Sequence, residues 1–146
     1  MMIRLRRPAT DDEAILQLVK RELLPHSHLI ASREQLIKEI PERLSEGPTY
    51  VAVNRVNRTV GFVHVYVRED ILIVDMLAVA QSSQHRGFGR QLLKKAEQYG
   101  RNKRCTQVRI MVDYGNVRAE RFYERSGYRF IRFVPAVVCH EMGKQL

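Results

Sequence analysis

The chain contains no tryptophan and only two cysteines, Cys105 and Cys139. Those two lack metal-ligand spacing, and both read as buried, reduced thiols of a cytoplasmic protein. No apolar run approaches the ~20 residues that span a bilayer, which excludes a helical membrane protein. The opening stretch Met1–Pro8 has no apolar segment of the secretory type, so a cytoplasmic location is expected. Acidic residues are also scarce: 16 against 25 basic ones, a net charge of +9. Such a balance favours anionic partners, either nucleic acid or a phosphorylated cofactor. The basic residues are scattered, and no zinc-finger or aromatic RNA-binding pattern accompanies them, so nucleic acid is disfavoured.

What remains is a soluble chain of 146 residues, long enough for one domain (1–146) with a sizeable core. Alternating Ile3 and Leu5 predict a first strand over Met2–Arg7. A helix follows from Thr10 to about Leu24, with Ile15, Leu18, Val19 and Leu23 on one face. The next, Arg33–Glu46, has Ser32 as its cap and a kink or break at Pro41. Thr49–Val53 and Thr59–Val67 form a hairpin. A strand over Ile71–Ala80, a helix over Gln84–Tyr99 stopped by Gly100, a strand over 106–112 and a helix over 117–125 come next. Strands at Tyr128–Val134 and Ala136–Met142 close the chain. The fold class is α/β (α+β): a mixed, mainly antiparallel sheet of about seven strands flanked by four helices, in the order β-α-α-β-β-β-α-β-α-β-β.

The chemistry gathers around residues 70–90. Ile71–Ala80 is apolar except for Asp75, as expected of a strand buried on both faces. A short loop then leads into a helix whose start carries Gly87 and Gly89. First-turn amides have no partners within a helix, and the helix dipole adds positive potential there. Glycines let a large anion touch the backbone, so the unit suits a phosphate or pyrophosphate. Arg86, Arg90 and Lys94 recur every four residues, either to attract phosphates or as a solvated basic face.

Two blocks carry a family resemblance. Leu77-Ala78-Val79, then Gln84-His85-Arg86-Gly87-Phe88-Gly89, resembles the cofactor motif of the GNAT superfamily of acyl-CoA-dependent N-acyltransferases, Gln/Arg-x-x-Gly-x-Gly/Ala. Asn116-Val-Arg-Ala119-Glu-Arg-Phe122-Tyr123-Glu-Arg-Ser-Gly127-Tyr128 resembles the second signature of that superfamily, in the same order along the chain. The resemblance implies acetyl-CoA as cosubstrate, no metal, and transfer to a primary amine of an unidentified acceptor in a ternary complex. It places the pantetheine arm on the backbone of Leu77 to Val79 and the pyrophosphate on the amides from His85 to Arg90. It makes Asn116 a contact of the arm and Tyr123 the general acid beside the sulfur. It also sets His26 and His28, in the loop between the first two helices, at the acceptor pocket.

Alternatives stand beside several of these roles. Asn116 suits a helix cap, Tyr123 a core aromatic, and the histidine pair a metal or an exposed loop. Asp75, a charge within an apolar strand, is a candidate general base directly or through water; Glu69, His64 and a water chain are rivals. An acyl-CoA-sensing regulator acting through a protein partner is the alternative function. The acceptor is either a small molecule or a protein, and a homodimer is left open.

Overall fold

The computed structural model describes residues 2–29 and 33–146, so the expected cap Ser32 lies outside the described residues. Strand β1 (Met2–Leu5) leads to helix α1 (Pro8–Leu18), which continues as a π turn (Val19–Leu23) and a 3-10 turn (Leu24–His26). Helix α1 starts earlier than Thr10 because Pro8 supplies the fixed φ of a first helical position. Helix α2 (Arg33–Leu44) runs through Pro41 without a break. Pro41 sits on its exposed face, where water can satisfy the carbonyl the proline leaves free.

Strands β2 (Thr49–Val53), β3 (Thr59–Arg68) and β4 (Ile71–Val79) form an antiparallel meander. Helix α3 (Phe88–Asn102) crosses to β5 (Gln107–Asp113), which pairs parallel with β4. After α4 (Val117–Arg125) come β6 (Arg129–Val134) and β7 (Cys139–Gln145). The sheet order is β1-β2-β3-β4-β5-β7-β6, so β7 inserts between β5 and β6. Among the described residues that is the expected seven-stranded mixed sheet with its four α-helices.

Further boundaries differ from expectation, among them the start of α3, which lies at Phe88 and not at Gln84 because the left-handed turn at His85 and Gly87 precedes it. Helix α3 passes Gly100 and ends in a turn at Arg104, whose φ is 63°. Gly100 instead permits close packing, since a Cβ there would lie 3.0 Å from Leu72 Cδ2. Strand β7 begins at Cys139, later than Ala136, because its ladder to β5 runs from Asp113↔Cys139 to Gln107↔Gln145. Its pairing with β5 sets that register, and Pro135–Val138 become the turn. Both cysteines are buried and free; Cys105 precedes β5 rather than lying in it.

The core has two faces. On one, Leu72, Val74 and Val79 of β4 pack with Leu92, Leu93 and Ala96 of α3. On the other, Met76 and Ala78 pack with Ile15 and Leu18 of α1 and Ile40 and Leu44 of α2. Each of the Leu, Ile, Val and Met side chains among these contributes up to about 1.5–3 kcal/mol, and the alanines less. Strict alternation would put Leu72, Val74, Met76 and Ala78 on one face. The β3 register shows why they divide: Val65 faces Val74 and His64 faces Met76, leaving Asp75 unmatched. This bulge adds one residue to β4 and flips the parity of everything after it.

Candidate active site

Strands β4 and β5 are paired only from Ile71↔Gln107 to Val74↔Ile110. Beyond that point β4 continues to Val79 and β5 to Asp113 without meeting. The bulge at Asp75 sits where the two strands part. The split leaves a slot in mid-sheet, flanked by backbone groups of β4 that lack a ladder partner on that side.

The loop after β4 lies at the end of this slot. His85 (φ 64°) and Gly87 (φ 85°) both take left-handed backbone conformations, which turn the chain sharply into α3. Gly87 is the N-cap of α3 and offers no side-chain cap. The first helical bond there is Gln91 N to Gly87 O, 3.1 Å. The amides of Phe88, Gly89 and Arg90 lie ahead of it, with no acidic residue in the first turn. A Cβ on Gly87 would meet nothing within 4 Å, so the place is open as well as conformationally demanding. Gly89 has a different reason: a Cβ there would sit 3.3 Å from Phe122 Cζ. It lets α3 and α4 approach closely. The Phe88 side chain is buried in the core, whereas Arg86, Arg90 and Lys94 are exposed.

Gln84 is a strut. Its Nε2 donates to the Val79 carbonyl at 2.9 Å, and its Oε1 accepts from Arg118 Nη2 of α4 at 2.8 Å. Arg118 also lies 3.2 Å from His85 Nε2. The first block of the sequence signature is thereby bound to the second. Arg118 and Phe122 were not among the expected site residues, although both fall inside the quoted block.

Asn116 caps α4, its Oδ1 accepting from Ala119 N at 3.3 Å. Tyr123 is buried, edge-on to Phe122 at 5.1 Å and to Tyr128 at 5.5 Å. Burial pushes its phenol above the ordinary range, so it is protonated at neutral pH. Tyr128 is fixed in turn by Glu97, 2.7 Å from its hydroxyl, and Glu97 is held by Lys144 at 3.1 Å.

Asp75 is not a solitary charge. Both its oxygens face Arg43, near the end of α2, with Nε 3.2 Å from Oδ2 and Nη2 bonded to Oδ1. Its side chain is 11% exposed. On its other flank His64 Nε2 lies 3.8 Å from Oδ2. No local signal in the sequence marked Arg43, which belongs to an ordinary amphipathic helix. Glu69, the other candidate, is exposed in the β3–β4 turn.

His26 ends the 3-10 turn and His28 follows it, near the far end of β5. His28 Nε2 bonds the Tyr114 carbonyl at 2.5 Å. Both histidines act on Asp113, whose carboxyl is pushed up by burial and drawn down by Cys139 and by the two histidines. Among the described residues, no three His, Cys, Asp or Glu side chains converge as a metal site.

Residues 13–128 match the acetyltransferase (GNAT) family. A Bacillus subtilis relative, the uncharacterized protein YxbD, is 32% identical over 89 residues, or 60% of this chain. The match spans 55% of that relative's length. Among solved structures, a GNAT-family acetyltransferase from Staphylococcus aureus Mu50 superposes with a TM-score of 0.82 at 15% identity, covering 99% of this chain and 98% of its own. The paia N-acetyltransferase of Thermoplasma acidophilum, solved in complex with coenzyme A, gives 0.76 at 19% identity and covers the whole of both chains. The family match takes in both the split strand with its glycine loop and the α4 block that Gln84 and Phe122 tie to it, and by that match the chain belongs to the GNAT acetyltransferase family.

Proposed function

We propose that this chain transfers an acetyl group from acetyl-CoA to a primary amine by direct transfer in a ternary complex, in the cytoplasm. One observation carries the reading: the slot between β4 and β5 ends on the uncapped, glycine-started N-terminus of α3. An extended arm with a pyrophosphate at one end fits that combination. Acetyl-CoA supplies the acyl group and the leaving thiol. The backbone of Leu77, Ala78 and Val79 holds the arm, with the Val79 carbonyl shared with Gln84. The amides from His85 through Arg86, Gly87, Phe88 and Gly89 to Arg90 hold the pyrophosphate, and exposed Arg86 and Arg90 add charge. Asn116 keeps its Oδ1 on the cap and turns its amide group to the arm.

Two proton positions complete the reading. Tyr123 holds a proton on its hydroxyl for the departing sulfur, its ring fixed by Phe122 and Tyr128. Asp75 receives the acceptor's ammonium at the bulge and takes its proton, directly or through one water. His26 and His28 line the acceptor side at the end of β5.

The test is free thiol release from acetyl-CoA across a panel of primary amines. Gly87→Asp accompanies it, since it adds a side chain and a negative charge at the φ 85° position. Expected are release with at least one amine and loss of coenzyme A binding in folded Gly87→Asp, read by calorimetry. Unchanged affinity in that variant would overturn the assignment of the loop.

A further inference from the structure

His64 presents a puzzle that the roles above leave unsolved. It lies on β3 and is completely buried. Its Nδ1 is 2.8 Å from Thr49 Oγ1 of β2. Its Nε2 is buried and makes no well-formed hydrogen bond among the described residues, although the Arg43 carbonyl is near enough to favour a proton there. A buried polar atom left unpaired costs about 1–3 kcal/mol. That cost is tolerated beside Asp75, whose Oδ2 is 3.8 Å away.

We propose that His64 is the proton reservoir of the acylation: its Nε2 receives, by way of Asp75, the proton that the acceptor ammonium gives up. The inference rests on the acetyl-transfer reading above. If Nδ1–H donates to Thr49, Nε2 carries a bare lone pair, 3.8 Å from Asp75 Oδ2 and close to the Arg43 carbonyl, so that one water or a small shift of Asp75 completes the path. Arg43 grips both oxygens of Asp75, so a proton arriving there competes with an ion pair. Moving it on to Nε2 restores that pair and leaves an imidazolium beside a carboxylate.

The balance is simple. The ammonium N–H bond breaks and its electron pair stays on nitrogen. The proton passes to Asp75 Oδ2 and then to the Nε2 lone pair, and it returns to water by the same route after product leaves. A second proton, lost as the N–C bond forms and the C–S bond breaks, ends on the thiol. Each turnover therefore converts one ammonium and one thioester into one amide, one thiol and one released proton.

The surroundings keep the imidazole neutral at rest. Burial pushes His64 below the ordinary histidine range. Against this, Asp75 on β4, the Arg43 carbonyl and Glu46 favour the cation, while the Arg43 guanidinium disfavours it. Thr49, on β2, is the uncharged neighbour. A reservoir needs such a site: empty between turnovers, but with a carboxylate at hand when it fills.

Two measurements decide. In the full chain without ligand, nitrogen NMR of labelled histidine, assigned with His64→Gln, should show a neutral ring at pH 7 with the proton on Nδ1. A proton on Nε2, facing the Arg43 carbonyl or Asp75, would overturn the proposal without any assay of activity. In kinetics, His64→Gln should lower kcat by about 10²-fold, with an unchanged KM for acetyl-CoA and a displaced acidic limb. Thr49→Ser should keep wild-type behaviour and Thr49→Val should move the limb. Melting curves and coenzyme A affinity verify that each variant is folded. An active wild type whose folded His64→Gln variant keeps both kcat and pH profile sinks the reservoir alone. A wild type that acetylates no amine sinks the acetyl-transfer reading first.

Discussion

Asp11 and Asp75 both have largely buried side chains and both are held by an arginine, yet their surroundings are completed differently. Asp11 is fully buried and accepts from Arg4 Nη1 at 2.7 Å, Arg4 Nη2 at 3.1 Å, the Arg7 amide at 2.7 Å and Thr59 Oγ1 at 2.8 Å. It ties β1, the start of α1 and β3 together, and its lone pairs are spoken for. Asp75 has Arg43 on one side and an unsatisfied histidine nitrogen on the other. Arg43 is 29% exposed, against 14% for Arg4. A carboxylate with every acceptor site filled is a structural joint. One left short of partners beside a strand split has capacity for a visiting ammonium.

The largest effect should come from Asp11. Asp11→Asn strands Arg4 in a partly buried place and removes the charge on which four donor groups from three residues converge. Unfolding in urea should show a loss of about 3–5 kcal/mol, the range for breaking a buried pair. A loss below about 1 kcal/mol would erase the contrast from the structural side.

Asp75→Asn should behave the opposite way. Its stability should change by less than about 1 kcal/mol, because Arg43 can turn to water. Its kcat should fall by about 10²-fold, with near-normal affinity for coenzyme A. An unchanged kcat and pH–rate profile would make Asp75 a second structural joint.

The smallest effect is a slope. Hydrogen bonds to Asp11 outweigh burial and hold its carboxyl below the usual range, so its contribution is present above about pH 3.9 and is lost as pH falls through the lower folded value. His64 is depressed as well, but as a base. Between its folded value and about 6.5 the unfolded chain binds a proton that the native chain refuses. Stability from His64 is therefore complete above about pH 6.5 and declines as pH falls through that window. His64→Gln should flatten the decline in melting temperature there and leave the acid unfolding governed by Asp11 in place. Parallel curves for wild type and variant would remove His64 from the account.

Much of this was legible locally. The glycine loop, the Asn116–Tyr128 block and the apolar run of β4 each occupy a short stretch, and each is encoded by spacing within it. The boundary of β7 was not, because Ala136–Met142 reads equally well as strand until β5 fixes its partners. Gly89 was legible as a glycine that something must approach, but Phe122 as the approaching group was not.

By itself, then, the sequence determined the element order, the glycine loop before α3 and the family, since these depend on periodicity and on residues within a few positions of one another. Tertiary structure alone decided which aspartate is a joint and which is left short. Arg43 lies 32 residues from Asp75, and Thr59 lies 48 from Asp11. Partners so distant are chosen by which strands the sheet makes neighbours. At Asp75 they are chosen also by a single unmatched residue that turns the rest of β4 over.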